Sequence, residues 1–216
     1  MIDTPQIIER LAPYMAASPD KVRDRIIAGA KARFLADGFA RVPVEDLCHQ
    51  LRISKKTFYK HFRDKSDLVH AIVADNFREI VPRVVGVLTS GDPPDVRLHG
   101  MMDTVLNVVT KRISTVFVAD MQALIPDLWN EIDDFRKAYV IPNMLRIFAE
   151  GQAAGVFRTD IDARVWSRIL YLVITRVADP KILYENEISF ESLVSTLFTV
   201  VRFGIEVRPD PPEVRP

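Results

Sequence analysis

Residues 53–68 have the sequence ISKKTFYKHFRDKSDL, which predicts a short basic helix, a tight corner and the start of a longer helix. Ser54 suits the N-cap position, because its hydroxyl can accept a hydrogen bond from the free N–H groups of the first turn. Phe58 and Phe62 are four residues apart and share one helical face, which we expect to be buried. Asp64 is expected to cap the next helix.

The other faces of this short helix carry basic and hydroxyl-bearing side chains. Such a surface suits the major groove of DNA, because lysines neutralise phosphates while hydroxyl groups bond to phosphate oxygens or base edges. The alternative is a basic helix that faces water and binds nothing, as most runs of charge do. The side chains concerned are Lys55, Lys56, Thr57, Tyr59, Lys60, His61 and Arg63.

The residues before this helix complete a helix-turn-helix pattern. Gly38-Phe39 ends a first helix, residues 44–51 form a second, and residues 52–54 supply a turn of about three residues. In spacing and residue type, residues 20–70 resemble the TetR family of transcriptional regulators. The matching positions are Ile26, Ala30, Phe34, Gly38, Phe39, Val44, Leu47, Ile53, Ser54, Thr57, Tyr59, Phe62, Lys65 and Leu68.

Three positions depart from the family pattern. Arg52 stands where the family usually has glycine, and a non-glycine residue in the left-handed conformation costs about 1–2 kcal/mol. Val42-Pro43 replaces the usual threonine or serine cap, although proline is compatible with a helix start. Lys56 stands where the family often has glycine. None of these removes the motif, but Arg52 leaves open an altered turn.

The composition favours an all-α globular protein. Of its 216 residues, 48% are hydrophobic, which allows a sizeable core, and apolar residues recur at helical spacing. The sequence has neither a long apolar run nor a basic N-terminal signal, so we expect a cytoplasmic protein without membrane association.

The single Cys48 excludes an internal disulfide. We expect it to be a small buried residue, with a redox sensor as the alternative.

The net charge of zero hides an uneven distribution of charge. Residues 18–66 contain twelve basic and six acidic residues, whereas the rest of the chain contains seventeen basic and twenty-three acidic ones. A basic head on an acidic body fits nucleic-acid binding at one end of the molecule.

Breaks in the pattern predict the organisation of the chain. We expect an N-terminal extension over residues 1–17, the helix-turn-helix domain over 18–66, a larger ligand-binding and dimerisation domain over 67–207, and a disordered tail over 208–216. In the body we expect helices over residues 65–87 with a weak point at Pro82, 96–110, 112–124, 126–154 with an interruption at Pro142, 163–177 and 190–207.

The last two helices are apolar on more than one side, so one side needs a partner beyond its own core. A two-fold homodimer supplies an identical partner, and by resemblance these helices pair with their copies in a four-helix interface. The alternative is an internal hairpin in a monomer. The predicted interface residues are Trp166, Leu170, Val173, Leu197 and Val201.

A pocket for a small-molecule effector is expected among the middle helices. Its predicted lining favours an apolar or aromatic ligand and consists of Met102, Leu106, Phe117, Met121, Trp129, Phe135, Tyr139 and Phe148. The alternative is that these residues are plain core, as methionine and aromatic residues at helical spacing usually are. Candidate polar contacts are His99, Asp103, Asp120 and Gln122.

The resemblance implies a dimeric, sequence-specific regulator, a repressor that a small, largely apolar ligand releases from a pseudo-palindromic operator in double-stranded DNA. Ser54, Tyr59, His61 and Lys65 would then hold phosphates, while Lys55, Lys56, Thr57 and Lys60 would reach base edges. An enzyme is not expected, because HExxH, CxxC, Walker and GxGxxG motifs are missing, and no cofactor or metal is predicted. The alternative is a ligand-binding or protein-binding helical module of the same fold without specific DNA binding.

Overall fold

The computed structural model describes residues 20–104, 106–107, 113–173, 175 and 180–205, so the predicted extension over 1–17 and tail over 208–216 lie outside the described residues. The expected all-α fold is confirmed. The elements are α1 (Lys21–Asp37), α2 (Val44–Leu51), α3 (Lys55–His61), α4 (Lys65–Thr89), α5 (Pro94–Thr104), α6 (Thr115–Leu124), α7 (Pro126–Phe135), a π turn (Arg136–Val140), α8 (Ile141–Ala153), α9 (Ala163–Leu172), α10 (Pro180–Glu185) and α11 (Phe190–Ile205).

Side-chain caps fix where α1, α3 and α4 begin. The carboxylate of Asp20 accepts hydrogen bonds from two N–H groups of the first turn of α1. Ser54 and Asp64 cap α3 and α4 as predicted, each accepting the N–H three residues later, at 3.0 Å and 2.8 Å. These caps satisfy donors that a helix start leaves unpaired.

The helices α1–α3, which we call the head, share one hydrophobic core with three later helices, α4, α6 and α7. Phe58 and Phe62 are almost completely buried, as their spacing predicted, in the same core as Phe34 and Phe39. Side chains from α6 and α7 enter the same core, among them Phe117, whose ring meets that of Phe39 edge-on with the centroids 5.7 Å apart. The head is therefore built partly from residues far along the chain.

A second core lies at the other end of the body, where α5, α8, α9 and α11 pack around the second half of α4. Its centre is a stack of three rings, in which the ring centroid of Phe148 lies 4.4 Å from that of Trp166 and 5.4 Å from that of Phe157. Gly151 admits the Phe157 ring, because a Cβ there would lie 2.1 Å from the ring carbon Cδ2.

The long helix predicted over 126–154 is divided by the π turn. Pro142 has no N–H to donate, and its ring would collide with the carbonyl four residues earlier in a regular helix. The backbone widens at Arg136–Val140, and α8 then begins at Ile141. Pro82, in contrast, lies inside α4, which continues to Thr89.

Other boundaries differ from the predicted ones. The helix expected from residue 112 begins at Thr115, because the hydroxyl of Ser114 accepts the N–H of Phe117 at 3.2 Å. The sequence analysis missed the short helix α10. In the part of the chain that the structure describes, none of the helices is both long enough and apolar enough to cross a bilayer.

The turn between α2 and α3 keeps a regular geometry in spite of Arg52. Its φ of 52° and ψ of 48° are left-handed, the conformation that favours glycine. The N–H groups of Arg52 and Ile53 close the end of α2 by bonding to the carbonyls of His49 and Cys48, at 3.1 Å and 3.0 Å. Arg52 thus carries backbone strain without changing the path of the chain.

Replacing Arg52 with glycine should stabilise the protein. Relief of the left-handed strain is worth about 1–2 kcal/mol, of which the extra freedom of glycine in the unfolded chain removes about 0.5–1 kcal/mol. Urea denaturation should show a net gain of up to about 1 kcal/mol. Arg52→Ala is the matched control, because it removes the same side chain but retains Cβ and the strain. Equal stability of the two variants would contradict the prediction.

Candidate functional site: basic helix, clamped turn and apolar cavity

The outer face of α3 presents uncompensated positive charge. The side chains of Lys56, Tyr59 and Lys60 are exposed beside the exposed cap Ser54, and Thr57 is half-buried. Among the residues that the structure describes, no carboxylate lies within 4.0 Å of the amino groups of Lys56 and Lys60. Two lysines of a short exposed helix are thus available to an external anion.

Lys55 already has a carboxylate partner. Its amino group pairs with Glu45 of α2, and this hydrogen bond lowers the pKa of the Glu45 carboxyl below its usual value. Both groups are exposed, so the pair contributes little to stability and a phosphate can replace Glu45.

His61 and Lys65, which were predicted to contact phosphates, have partners within the head. Nδ1 of His61 lies 2.8 Å from Oδ2 of Asp20, and the His61 side chain is only 9% exposed. Nζ of Lys65 donates to the carbonyls of Ala40 and Val42, at 3.0 Å and 3.1 Å. The donors of these two side chains hold the head together.

Asp120 of α6 holds the same turn from the other side. Its Oδ2 accepts the N–H groups of Phe39 and Ala40, both at 2.7 Å. Partial burial lowers the pKa of Lys65, and the negative charge of Asp120 opposes that shift. We call this arrangement of Asp120 and Lys65 around residues 39–42 the turn clamp. It also corrects the prediction of Asp120 as a pocket contact.

The junction between α1 and α6 is tight on both sides of the turn clamp. The N–H of Ser114 donates to the carbonyl of Leu35 at 2.8 Å. Gly38 has a φ of 79°, and a Cβ there would lie 2.5 Å from Oδ2 of Asp120 and 2.6 Å from Cγ1 of Val116. Glycine is thus required by both conformation and space.

An apolar cavity of about 210 Å³ lies between α4, α6, α7, the π turn, α9 and α11. Four of its predicted lining residues do line it, namely Phe117, Met121, Trp129 and Phe135. The candidate polar contact Gln122 also lies in the wall, whereas His99 and Asp103 do not.

The other four predicted lining residues lie elsewhere. Met102, Tyr139 and Phe148 are buried in the second core, and Leu106 packs against it. The contributions of α4 and of the last helices were not predicted from the sequence. The missed residues include Val73, Asn76, Phe77, Ile80, Tyr171, Thr175, Phe190 and Val194.

The outer apolar face of α9 and α11 differs from the predicted interface. Trp166, Leu170 and Val201 are buried within their own chain, and Val173 and Leu197 are half-buried. The first three cannot form an outer surface, because the second core already covers them. The apolar residues that are exposed on these helices are Val165, Ile169, Leu172, Val200 and Phe203.

Comparison with known proteins identifies the head. Residues 26–72, which run from α1 into α4, match the family described as bacterial regulatory proteins, tetR family. The chain carries a TetR-family DNA-binding domain. This confirms the resemblance seen in the sequence and the prediction of a DNA-binding regulator rather than an enzyme.

Relatives of this regulator extend the similarity to the body. The HTH-type transcriptional repressor KstR2 of Mycolicibacterium smegmatis is 24% identical over 162 residues, which cover 74% of this chain and 79% of the relative. The ketosteroid transcriptional regulator KstR2 of Mycobacterium tuberculosis has a TM-score of 0.61 at 17% identity, covering 90% of this chain and all of that one. A TetR-family regulator from Agrobacterium tumefaciens reaches 0.66 at 15% identity, covering 88% of this chain and all of that one.

Removal of the Asp120 carboxylate should destabilise this regulator. Hydrogen bonds to a charged group contribute about 1.5–3 kcal/mol, so Asp120→Ala should lower the free energy of unfolding by about that amount. Asp120→Asn keeps one acceptor oxygen and should lose less. Asp103→Ala, a change of an exposed aspartate on α5, should stay within about 0.5 kcal/mol of the wild type. Urea denaturation measures all three, and wild-type stability of Asp120→Ala would rule out the turn clamp.

Proposed function

We propose that this regulator is a homodimeric repressor that binds a pseudo-palindromic operator and leaves it when a small, largely apolar ligand occupies the cavity. One observation carries the proposal: α4 and α6 supply much of the cavity wall, and the same two helices supply Lys65 and Asp120 of the turn clamp. A change in the cavity therefore acts on elements that hold the head.

The DNA-binding side rests on α3. Its exposed lysines and hydroxyl groups suit the major groove, and two heads related by a two-fold axis would meet successive major grooves about 34–36 Å apart. In this arrangement Lys56 and Lys60 contact DNA directly, and Lys55 exchanges Glu45 for a phosphate or a base edge. His61 and Lys65 keep α3 and the turn in position.

The ligand would act through α6. Phe117 and Met121 line the cavity and flank Asp120 on the same short helix. A ligand that displaces these two side chains moves the carboxylate that holds Phe39 and Ala40. A shift from 1:99 to 99:1 in favour of the released state requires about 5.5 kcal/mol of differential affinity.

Dimerisation would use the exposed apolar residues of α9 and α11. Ile169 and Val200 are 56% and 64% exposed, which is unfavourable for large aliphatic side chains in water. A two-fold axis would place this surface against an identical one and cover both copies at once. The buried Trp166 and Leu170 would support the interface from behind.

The relatives support the class of effector and the sign of regulation. One KstR2 is named a repressor and the other a ketosteroid regulator, which favours repression and a hydrophobic effector here. A protein that binds an operator must reach the chromosome, and we therefore place it in the cytoplasm. The rival function is a ligand-binding or protein-binding module without specific DNA binding, against which the uncompensated lysines of α3 count.

Selection from a random-sequence duplex pool at physiological salt tests the DNA-binding part. We expect an enriched palindrome, and Lys56→Ala should bind it about 1–3 kcal/mol more weakly with relaxed preference at one position of each half-site. Arg83→Ala removes a cation from the far part of α4 and should bind like the wild type. Binding without sequence enrichment would favour the rival function.

A charge on the outer face of α11 should prevent dimerisation. Val200→Asp buries two carboxylates in the proposed interface, and sedimentation velocity should then detect monomers at concentrations where the wild type is dimeric. Val96→Asp is the matched control, because Val96 is an exposed valine on α5, at 48% exposure. A dimer that survives Val200→Asp but not Val96→Asp would move the interface to α5.

A further inference from the structure

Among the described residues that line the apolar cavity, one is cationic. Arg136, the first residue of the π turn, lines the cavity, and its guanidinium lies over the ring of Trp129, 5.2 Å from the centroid. The rest of the lining is predominantly apolar, with a few neutral polar side chains such as Asn76 and Gln122. π turns are frequent at functional sites, and this one places an arginine beside an apolar volume.

Asp133, the carboxylate that interacts electrostatically with Arg136, already has other partners. The carboxylate of Asp133 accepts a hydrogen bond from the hydroxyl of Tyr171, which lies 3.1 Å from Oδ1 and 3.0 Å from Oδ2. Nζ of Lys137 lies 2.6 Å from Oδ2 of the same carboxylate. Within the described part of the chain, no carboxylate comes within 4.0 Å of the Arg136 guanidinium. In the same part of the chain, the guanidinium contacts the ring of Trp129.

This environment leaves the charge of Arg136 poorly compensated. Burial lowers the pKa of the guanidinium, and Asp133 and Tyr171 oppose that shift, but an arginine stays protonated in a protein. The contact with Trp129 is a cation–π interaction, in which the N–H donors of the guanidinium form no ion pair with a described residue. Those donors remain for an anion, and a carboxylate matches their fork with two parallel hydrogen bonds.

We propose that the effector is an apolar molecule with a single carboxylate, which pairs with Arg136 while the apolar body lies against Phe77, Phe117 and Met121. The inference rests on the proposed function in treating the cavity as the effector site, and it narrows the ligand class from apolar to apolar and anionic. A volume of about 210 Å³ suits a small acid better than a large one, since ligand pockets commonly span about 300–1,000 Å³.

Calorimetric titration of the full-length protein without DNA tests this inference. The probes are two acids, phenylbutyrate and decanoate, each beside its uncharged alcohol, phenylbutanol and decanol. At neutral pH the wild type should bind at least one acid tenfold or more tightly than the matching alcohol, a difference of about 1.4 kcal/mol.

Three variants separate charge recognition from folding. Arg136→Met keeps an unbranched side chain but removes the charge, so it should lose the preference for the acid while it binds the alcohol as before. Arg136→Lys should retain part of the preference, because it keeps the charge without the planar fork. Arg164→Met changes an arginine that is 84% exposed and lies outside the cavity lining, and it should behave as the wild type.

Three results would overturn the inference: equal affinity for acid and alcohol in the wild type, an acid preference that survives Arg136→Met, or no binding of any probe. None of these depends on DNA, so the inference and the proposed function fail separately. If acids bind through Arg136 but leave the selected operator duplex bound, the repressor mechanism is wrong and the anion site stands. If operator binding is specific but acids are not preferred, the regulator stands with a different ligand.

Discussion

Two backbone N–H groups and one carboxylate connect the head of this regulator to α6. Asp120 accepts the N–H groups of Phe39 and Ala40, and Lys65 donates to carbonyls of the same turn. A turn between helices normally exposes such groups to water. Here their partners come from α4 and α6, so the turn between α1 and α2 depends on Asp120, about 80 positions away in the sequence.

The cavity lies against the same two helices. Phe117 and Met121 line the cavity and flank Asp120 in the sequence of α6. The π turn places Arg136 in the cavity wall on the side of α7. An uncompensated cation in an apolar wall costs free energy that a matching anion recovers. The arrangement connects Arg136 and the turn through one continuous set of packed helices.

The sequence was sufficient for local features and insufficient for contacts between distant segments. The caps at Ser54 and Asp64 and the buried pair Phe58 and Phe62 depend on residues three or four positions apart, so their pattern is visible in the chain. The role of Asp120 is not, because its partners lie in the head.

The same limit applies to helix faces. Two apolar sides were visible on α9 and α11, but periodicity does not say which side faces the core. Trp166 and Leu170 therefore were assigned to the interface, although Ile169 and Val200 are the exposed ones. Phe148 was assigned to the cavity for the same reason, since a buried aromatic at helical spacing fits either a core or a pocket wall.

The core shared by the head with α6 and α7 also limits recombination between regulators: a graft of α1–α3 alone onto a foreign body would leave Phe39 without Phe117. A working chimera must therefore exchange residues 113–132 together with α1–α3.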